Sequence, residues 1–188
     1  MSTILIILLV IVVIVVIFLI ACIGMYNGLV KLRNLVEEAF STMDVYMKKR
    51  FDLIPNLVET VKGYAAHEKS TLDSVVRARS GIQNAGTPEQ RMQAESDLTG
   101  TLRTLFAVAE NYPDLKANAN FIGMQRDLTQ IEDEIAQSRK YYNATCRDYN
   151  TKTETFPSGA IAAMFRFARK PLYEIGNTAE REAPKVSF

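Results

Sequence analysis

The chain has 188 residues, 22 of them basic and 21 acidic, so it lacks the basic excess expected of a nucleic-acid-binding protein. One His and two Cys provide no set of metal ligands, and neither a metal nor a cofactor is expected. All charged residues follow position 30, which divides the chain into an apolar beginning and a charged remainder.

The apolar beginning contains a candidate membrane helix. Ile4 to Ile23 is an unbroken run of 20 apolar residues. A helix of that length extends about 30 Å, the thickness of the hydrocarbon layer of a bilayer. Residues 1–24 are therefore predicted to form a transmembrane helix.

A lipid anchor is the alternative interpretation of this segment. Leu19-Ile20-Ala21-Cys22 resembles a bacterial lipobox, in which the chain is cut before a Cys that then carries lipid. A secretory leader needs a basic start and an apolar stretch of about 7–15 residues. This chain has no basic residue before the run, and the run is longer. The sequence therefore favours the spanning helix over a lipidated Cys22.

Flanking charge predicts the orientation of that helix. No Lys or Arg precedes it, whereas Lys31 and Arg33 follow it closely. Cytoplasmic flanks of membrane helices are enriched in Lys and Arg. We expect a single-pass protein with a short N-terminus outside the cell and the rest of the chain in the cytoplasm.

The first helix is expected to continue out of the membrane to Asn84. Apolar residues recur every three or four positions, the period of one helix face, and Pro55 within this stripe predicts a kink. The stripe comprises Leu29, Leu32, Leu35, Val36, Phe40, Met43, Met47, Phe51, Ile54, Val58, Val61, Ala65, Leu72, Val75 and Val76.

Turn residues mark where the next helices begin. Asn84 to Pro88 predicts a break, with Thr87 as the N-cap and Pro88 at the first position of a second helix. Asn111 to Asp114 predicts another break. Short loops between long helices make neighbouring helices antiparallel.

The third predicted helix has a seven-residue period, typical of helices that pack at a shallow angle as in coiled coils. Its repeated positions are Phe121, Leu128, Ile135, Tyr142 and Tyr149. A fourth helix is expected from Ala160 to Lys170. The predicted fold is all-α, with the membrane helix continuing into an antiparallel bundle of three or four helices (residues 25–173) and a mobile tail (174–188).

Several short segments of the sequence resemble those of the LemA family. The resemblance covers residues 25–173 and rests on Tyr26-Asn27-x-Leu29-Val30-x-Leu32-Arg33-Asn34, Asp52-Leu53-Ile54-Pro55-Asn56-Leu57-Val58, Ala109-Glu110-Asn111-Tyr112-Pro113-Asp114-Leu115-Lys116-Ala117, Tyr142-Asn143, Tyr149-Asn150 and Phe156-Pro157. It implies a bacterial protein with an N-terminal membrane helix, a helical bundle and no established activity. Some relatives are associated with magnetosome membranes. This chain departs from the family at Arg166-Phe167, where Gly-Phe is more common.

Charged and titratable residues give little sign of catalysis. His67 has no recognisable partner for a catalytic triad or a di-iron site, so we expect an exposed or capping residue. Glu132-Asp133-Glu134 fans out around its helix and is expected to be solvated. Lys48-Lys49-Arg50 lies too far from the predicted membrane to bind lipid, and a salt bridge within the chain or with a partner is expected instead.

Repeated Tyr-Asn pairs are candidate interaction residues. They are Tyr26-Asn27, Tyr142-Asn143 and Tyr149-Asn150. A Tyr ring can be buried while its hydroxyl keeps a polar partner, and Asn can bond across helices. These pairs predict either polar cross-links that fix helix register or a binding groove.

Gly24 and Gly28 lie four residues apart at the membrane boundary. Small residues at this spacing allow two helices to approach closely, but Gly also weakens a helix. The pair therefore predicts either a contact with another helix or a local break. For a contact, the simplest partner is a second copy of this chain.

The predicted fourth helix is amphipathic and basic. Apolar residues at 161, 164, 165 and 167 accompany Arg166, Arg169 and Lys170. Such a helix packs against the bundle or lies on a membrane surface.

The sequence thus predicts a non-enzymatic, membrane-anchored bacterial protein. A self-assembling scaffold or membrane-organising protein is the favoured function, with the bilayer and further copies of the chain as its partners. The alternative is an adaptor subunit for another membrane protein, such as a protease, sensor or transporter.

Overall fold

A computed structural model describes residues 3–173, apart from the side chains of residues 88 and 89. The predicted tail, 174–188, lies outside this part of the chain. The described residues form helices and connecting turns, without strands, as expected. The helices are α1 (Thr3–Tyr64), α2 (Lys69–Asn84), α3 (Pro88–Ala109), α4 (Pro113–Lys116), α5 (Ala119–Glu154) and α6 (Ser158–Met164).

Helix α1 is continuous from the apolar run through Pro55 to Tyr64. Within the part of the chain that the structure describes, it is the one helix long and apolar enough to cross a membrane. Ile4 to Ile20 are exposed along the whole run. This surface far exceeds the apolar patches of soluble proteins and fits a membrane location.

The prediction of one helix as far as Asn84 was wrong. The chain turns at residues 65–68, and α2 begins at Lys69. The apolar stripe resumes in phase after the turn because α2 folds back against α1, where the Arg79 guanidinium lies 4.0 Å from the centre of the Phe51 ring. Periodicity therefore could not reveal this turn.

The break between α2 and α3 is confirmed. Thr87 has extended backbone angles, and its side-chain oxygen accepts a hydrogen bond from the Gln90 amide at 3.2 Å. Pro88 begins α3, where the missing amide hydrogen has no cost. The next break contains the short helix α4, which the sequence did not predict.

The described chain divides into two compact units. The first, the clamp unit, contains residues 3–42 and Lys140–Leu172; the second, the core unit, contains Met43–Arg139 and Tyr173. Helices α1 and α5 contribute residues to both.

The core unit is an up-and-down arrangement of α1, α2, α3 and α5. Its buried apolar side chains form one cluster drawn from all four helices and the connecting segments. The members are Ile54, Leu57, Val61, Ala65, Leu72, Val75, Leu98, Leu102, Leu105, Ala109, Leu115, Phe121 and Leu128.

The clamp unit buries apolar side chains of α1, α5 and α6. Leu29 of α1 packs with Ile161 and Ala162 of α6. In the same unit α1 and α5 are antiparallel neighbours, with the Phe40 and Tyr142 rings 5.8 Å apart. Helix α6 ends at Met164, so the prediction that it reaches Lys170 was wrong.

Candidate functional site

The end of the apolar run is covered by α6 and the residues after it. Cys22, Met25 and Phe167 pack against the cluster of Leu29, Ile161 and Ala162. The Tyr26 ring lies 4.7 Å from the Phe165 ring and 5.7 Å from the Phe167 ring, measured between ring centres. Tyr26 therefore joins α1 to the segment that follows α6, while Asn27 beside it is exposed.

Gly24 is exposed at the end of the apolar run, and Gly28 is half-buried next to Leu29. A Cβ atom at either position would meet no other atom within 4 Å, so neither glycine is required by packing within the chain. Helix α1 passes through both without interruption, and the predicted local break was wrong. Contact with another helix stays a prediction.

The later Tyr-Asn pairs hold a non-helical segment against α5. The Tyr142 hydroxyl donates to the Pro171 carbonyl at 2.9 Å, and the Tyr149 hydroxyl donates to the Ala168 carbonyl at 3.0 Å. We call the polar residues Tyr142, Tyr149 and Asn150, with the segment 168–171, the clamp.

Asn150 makes the most complete contact in the clamp. Its side-chain amide donates to the Lys170 carbonyl at 2.9 Å, and its side-chain oxygen accepts from the Lys170 amide at 2.9 Å. Asn150 thus satisfies both backbone groups of a residue outside any helix. Asn143, one of the predicted pair residues, is half-buried.

Cys146 is buried beside the clamp. Its thiol lies 3.7 Å from the Pro171 carbonyl oxygen, and burial raises the pKa of the thiol. A raised pKa leaves the thiol protonated and unreactive at neutral pH. Burial raises the pKa of the Tyr149 hydroxyl as well.

The structure explains the departure at Arg166. This residue has φ 57°, in the left-handed region that favours Gly. The Phe167 amide bonds to the Ala162 carbonyl at 2.9 Å, and the Arg166 amide bonds to the Ala163 carbonyl at 3.3 Å. These are the two bonds of a Schellman motif, whose left-handed position usually carries Gly.

The core unit contains a buried charged group centred on Arg50, which we call the charge network. Arg50 and Glu95 are almost completely buried, at 0% and 1% exposure. The Arg50 guanidinium donates to the carboxylates of Glu95 and Glu132, and to the Thr99 hydroxyl at 2.7 Å. For Arg50, the salt bridge expected of the basic cluster is thus confirmed, and its partners lie within the chain.

Electrostatics keep Arg50 charged in this position. Burial acts to lower the pKa of Arg50, but Glu132 and Glu95 outweigh it and hold the pKa above its usual value. The expectation that Glu132 belongs to a solvated face was wrong, because its carboxylate is the second partner of Arg50. Tyr173 packs under the Arg139 guanidinium, 4.4 Å from ring centre to Cζ, and burial raises the pKa of its hydroxyl.

The sequence carries a signal for this network. The buried positions of α1 run through Met47, Arg50 and Ile54, so Arg50 occupies a core position. Glu95 likewise precedes Leu98 and Leu102 on the buried face of α3. Opposite charges at core positions of two helices predict a buried pair.

The described part of the chain has no cluster of metal-ligand side chains. No three His, Cys, Asp or Glu side chains there are placed to hold a metal ion. His67 is exposed in the turn between α1 and α2, as expected. A groove of about 570 Å³ beside α1 and α5 is lined by Tyr46, Lys49, Asp52, Leu53, Asp127, Gln130, Ile131 and Glu134.

The chain is similar to proteins of one bacterial family. A family model described as "LemA family" matches residues 39–188. The chain is 26% identical to Protein LemA of Metamycoplasma hominis, over 77% of this chain and 67% of that protein. It is 25% identical to magnetosome protein MamQ 2 of Paramagnetospirillum magneticum, over 84% and 67%. Magnetosome protein MamQ of Magnetospirillum gryphiswaldense is 23% identical, over 81% and 65%.

Proposed function

This chain belongs to the LemA family, and we propose that it is a membrane-anchored scaffold that acts by assembling with further copies of itself rather than by catalysis. Helix α1 spans the bilayer, and the bundle lies on the cytoplasmic side. Three observations support this function: an exposed apolar helix, two glycines at its end that packing within the chain does not require, and no metal-ligand cluster among the described residues.

The proposal of self-assembly is supported mainly by the open space beside Gly24 and Gly28 in a continuous helix. Each Gly in a continuous helix costs about 1 kcal/mol relative to Ala. No neighbour in the chain would obstruct a side chain at either position. A second helix that approaches closely at this point gives both glycines a function, because only a surface without side chains allows backbones to touch.

Oligomer mass in native-lipid discs tests this proposal. We expect the wild-type chain to give a complex that contains several copies of this chain alone. Gly24→Leu with Gly28→Leu adds two bulky side chains to the proposed contact and should reduce the complex to single copies. Gly63→Leu is the matched control, because Gly63 is also in α1 and equally free of neighbours. It should leave the mass unchanged.

Other results would overturn the proposal. Single copies of the wild-type chain would refute self-assembly. One or two copies held with a different membrane protein would make the chain an adaptor subunit. An unchanged mass in the double variant would show that assembly does not depend on the glycines.

Orientation is tested separately. The positive charges at Lys31 and Arg33 support a cytoplasmic bundle. In sealed cells, an external protease should leave the bundle intact and should digest it after the membrane is permeabilised. Digestion in sealed cells would place the bundle outside.

A further inference from the structure

Three large apolar side chains are exposed at one end of the clamp unit. Phe156 is 92% exposed, Met164 is 69% exposed and Phe165 is 54% exposed. Phe156 lies in the turn between α5 and α6, and the other two lie at the C-terminal end of α6. We call these three residues the α6 patch.

The patch lies beside the end of the membrane helix. The centre of the Phe165 ring is 4.7 Å from that of Tyr26. Tyr26 is three residues beyond Ile23, the last residue of the apolar run, which corresponds to about 4.5 Å along a helix axis. Phe165 is therefore held close to the level at which α1 leaves the hydrocarbon layer.

The course of α5 leads to the same level. Tyr142 contacts Phe40, and Tyr149, seven residues farther along α5, interacts electrostatically with Arg33 and Glu37. Helix α5 therefore runs antiparallel to α1 within this unit. From Tyr142 to the end of α5 at Glu154 the helix advances about 18 Å, and the same distance along α1 leads from Phe40 to Gly28. The turn that carries Phe156 thus reaches the membrane end of the unit independently of the Phe165 contact.

Arginine side chains lie next to the patch or over Phe167, two residues after Phe165. Arg166 is exposed directly after Phe165, and the Arg169 guanidinium is exposed while it lies 3.3 Å from the Glu154 carboxylate. Arg33 of α1 lies over the Phe167 ring at 5.4 Å. Exposed apolar and aromatic side chains flanked by Arg are typical of surfaces that lie at the boundary between headgroups and acyl chains.

We propose that the α6 patch is a second membrane contact, inserted into the lipid interface next to the point where α1 leaves the bilayer. This inference rests on the proposed membrane anchoring by α1 and adds a lipid-binding surface to it. Helix α1 alone would let the bundle pivot about one point. The patch supplies a second point and fixes the clamp unit against the membrane surface.

Tryptophan fluorescence of the full chain tests the contact, because the sequence has no Trp. Phe165→Trp places one reporter in the patch. Tyr141→Trp is the matched control, since Tyr141 is 50% exposed in the same unit and lies farther back along α5. Each variant is reconstituted in vesicles of phosphatidylglycerol and phosphatidylethanolamine whose acyl chains carry bromine near the headgroup.

We expect Phe165→Trp to be quenched several-fold more strongly by the brominated lipid than Tyr141→Trp, to emit at shorter wavelength and to be protected from aqueous acrylamide. Phe156→Trp should behave like Phe165→Trp. Equal quenching of patch and control would overturn the proposal. A short-wavelength emission without lipid quenching would also overturn it, because the patch would then be covered by protein, such as a second copy.

Flotation of the same vesicles separates the two proposals. If the chain floats with the vesicles and the patch reporter is not quenched, α1 anchors the chain and the α6 patch does not bind lipid. If the chain does not float, the proposed anchoring itself fails. Far-ultraviolet circular dichroism of each variant should match that of the unsubstituted chain, which shows that the reporter has not altered the fold.

Discussion

The two units of this chain are stabilised by different means. The core unit buries thirteen apolar side chains in one cluster and also encloses the Arg50 charge network. The clamp unit also buries apolar side chains, among them Leu29, Val36, Ala39, Ile161 and Ala162, and neutral hydrogen bonds attach its non-helical segment to α5. A helix bundle can thus hold a segment without secondary structure, because side chains replace the backbone partners that a helix would provide.

The largest effect is expected from Arg50→Met in the core unit. Removal of the guanidinium leaves Glu95 buried without its partner, which costs about 3–5 kcal/mol of unfolding free energy. Lys48→Met is the matched control, since Lys48 and its partner Asp52 are exposed and such pairs contribute at most about 1 kcal/mol. Urea unfolding of the full chain in lipid discs measures both. Equal losses of unfolding free energy in the two variants would contradict the expectation that the buried ion pair matters more than the exposed one.

Asn150→Ala should have the largest effect in the clamp unit. It leaves the Lys170 amide and carbonyl without their side-chain partner, which we expect to cost about 2–3 kcal/mol. Hydrogen exchange followed by mass spectrometry should show faster exchange in α6 and residues 168–171, with α3 unchanged. Arg50→Met should instead show faster exchange in α3, with α6 and residues 168–171 unchanged. Faster exchange in both regions of both variants would mean that the two units do not open separately.

Tyr149→Phe should cost about 1 kcal/mol, because it removes one hydroxyl bond while it keeps the ring. It should also change the response to alkali. Burial raises the pKa of Tyr149 in the folded chain above the ordinary 10.0. Above pH 10 the unfolded chain therefore releases this proton first, and stability falls as pH rises.

Tyr149→Phe has no hydroxyl to titrate at this position. Its unfolding free energy should therefore fall less steeply between pH 9 and 11 than that of the unsubstituted chain. Tyr141→Phe, at an exposed position, serves as the control for both measurements. An identical alkaline slope in Tyr149→Phe and the unsubstituted chain would show that Tyr149 does not titrate with unfolding.

The smallest predicted effect is an increase in unfolding free energy from a substitution in the clamp unit. Arg166→Gly should stabilise the chain by about 0.5–1 kcal/mol, since Gly adopts the left-handed conformation at φ 57° without strain. Arg166→Ala removes the charge but keeps the Cβ, and it should leave stability unchanged. Urea unfolding measures both variants. An equal gain with Ala would assign the effect to charge rather than to backbone conformation.

Sequence patterns predicted much of the fold and less of the candidate sites. The break at Asn84 to Pro88 was predicted because cap residues act locally. The turn after Tyr64 was not, since the apolar phase continues across it. The charge network was missed because Lys48-Lys49-Arg50 looks like a uniform basic cluster, although Arg50 alone falls on the buried stripe.

By itself, the sequence determined an all-α chain with one helix apolar enough to span a membrane, because both properties follow from local composition and the 3.6-residue period. Only the tertiary structure decided which charges are buried, what the Tyr-Asn pairs bind and where the α6 patch lies. Those features depend on residues that are distant in sequence, such as Arg50 and Glu132 or Tyr26 and Phe165, and folding alone brings them into contact.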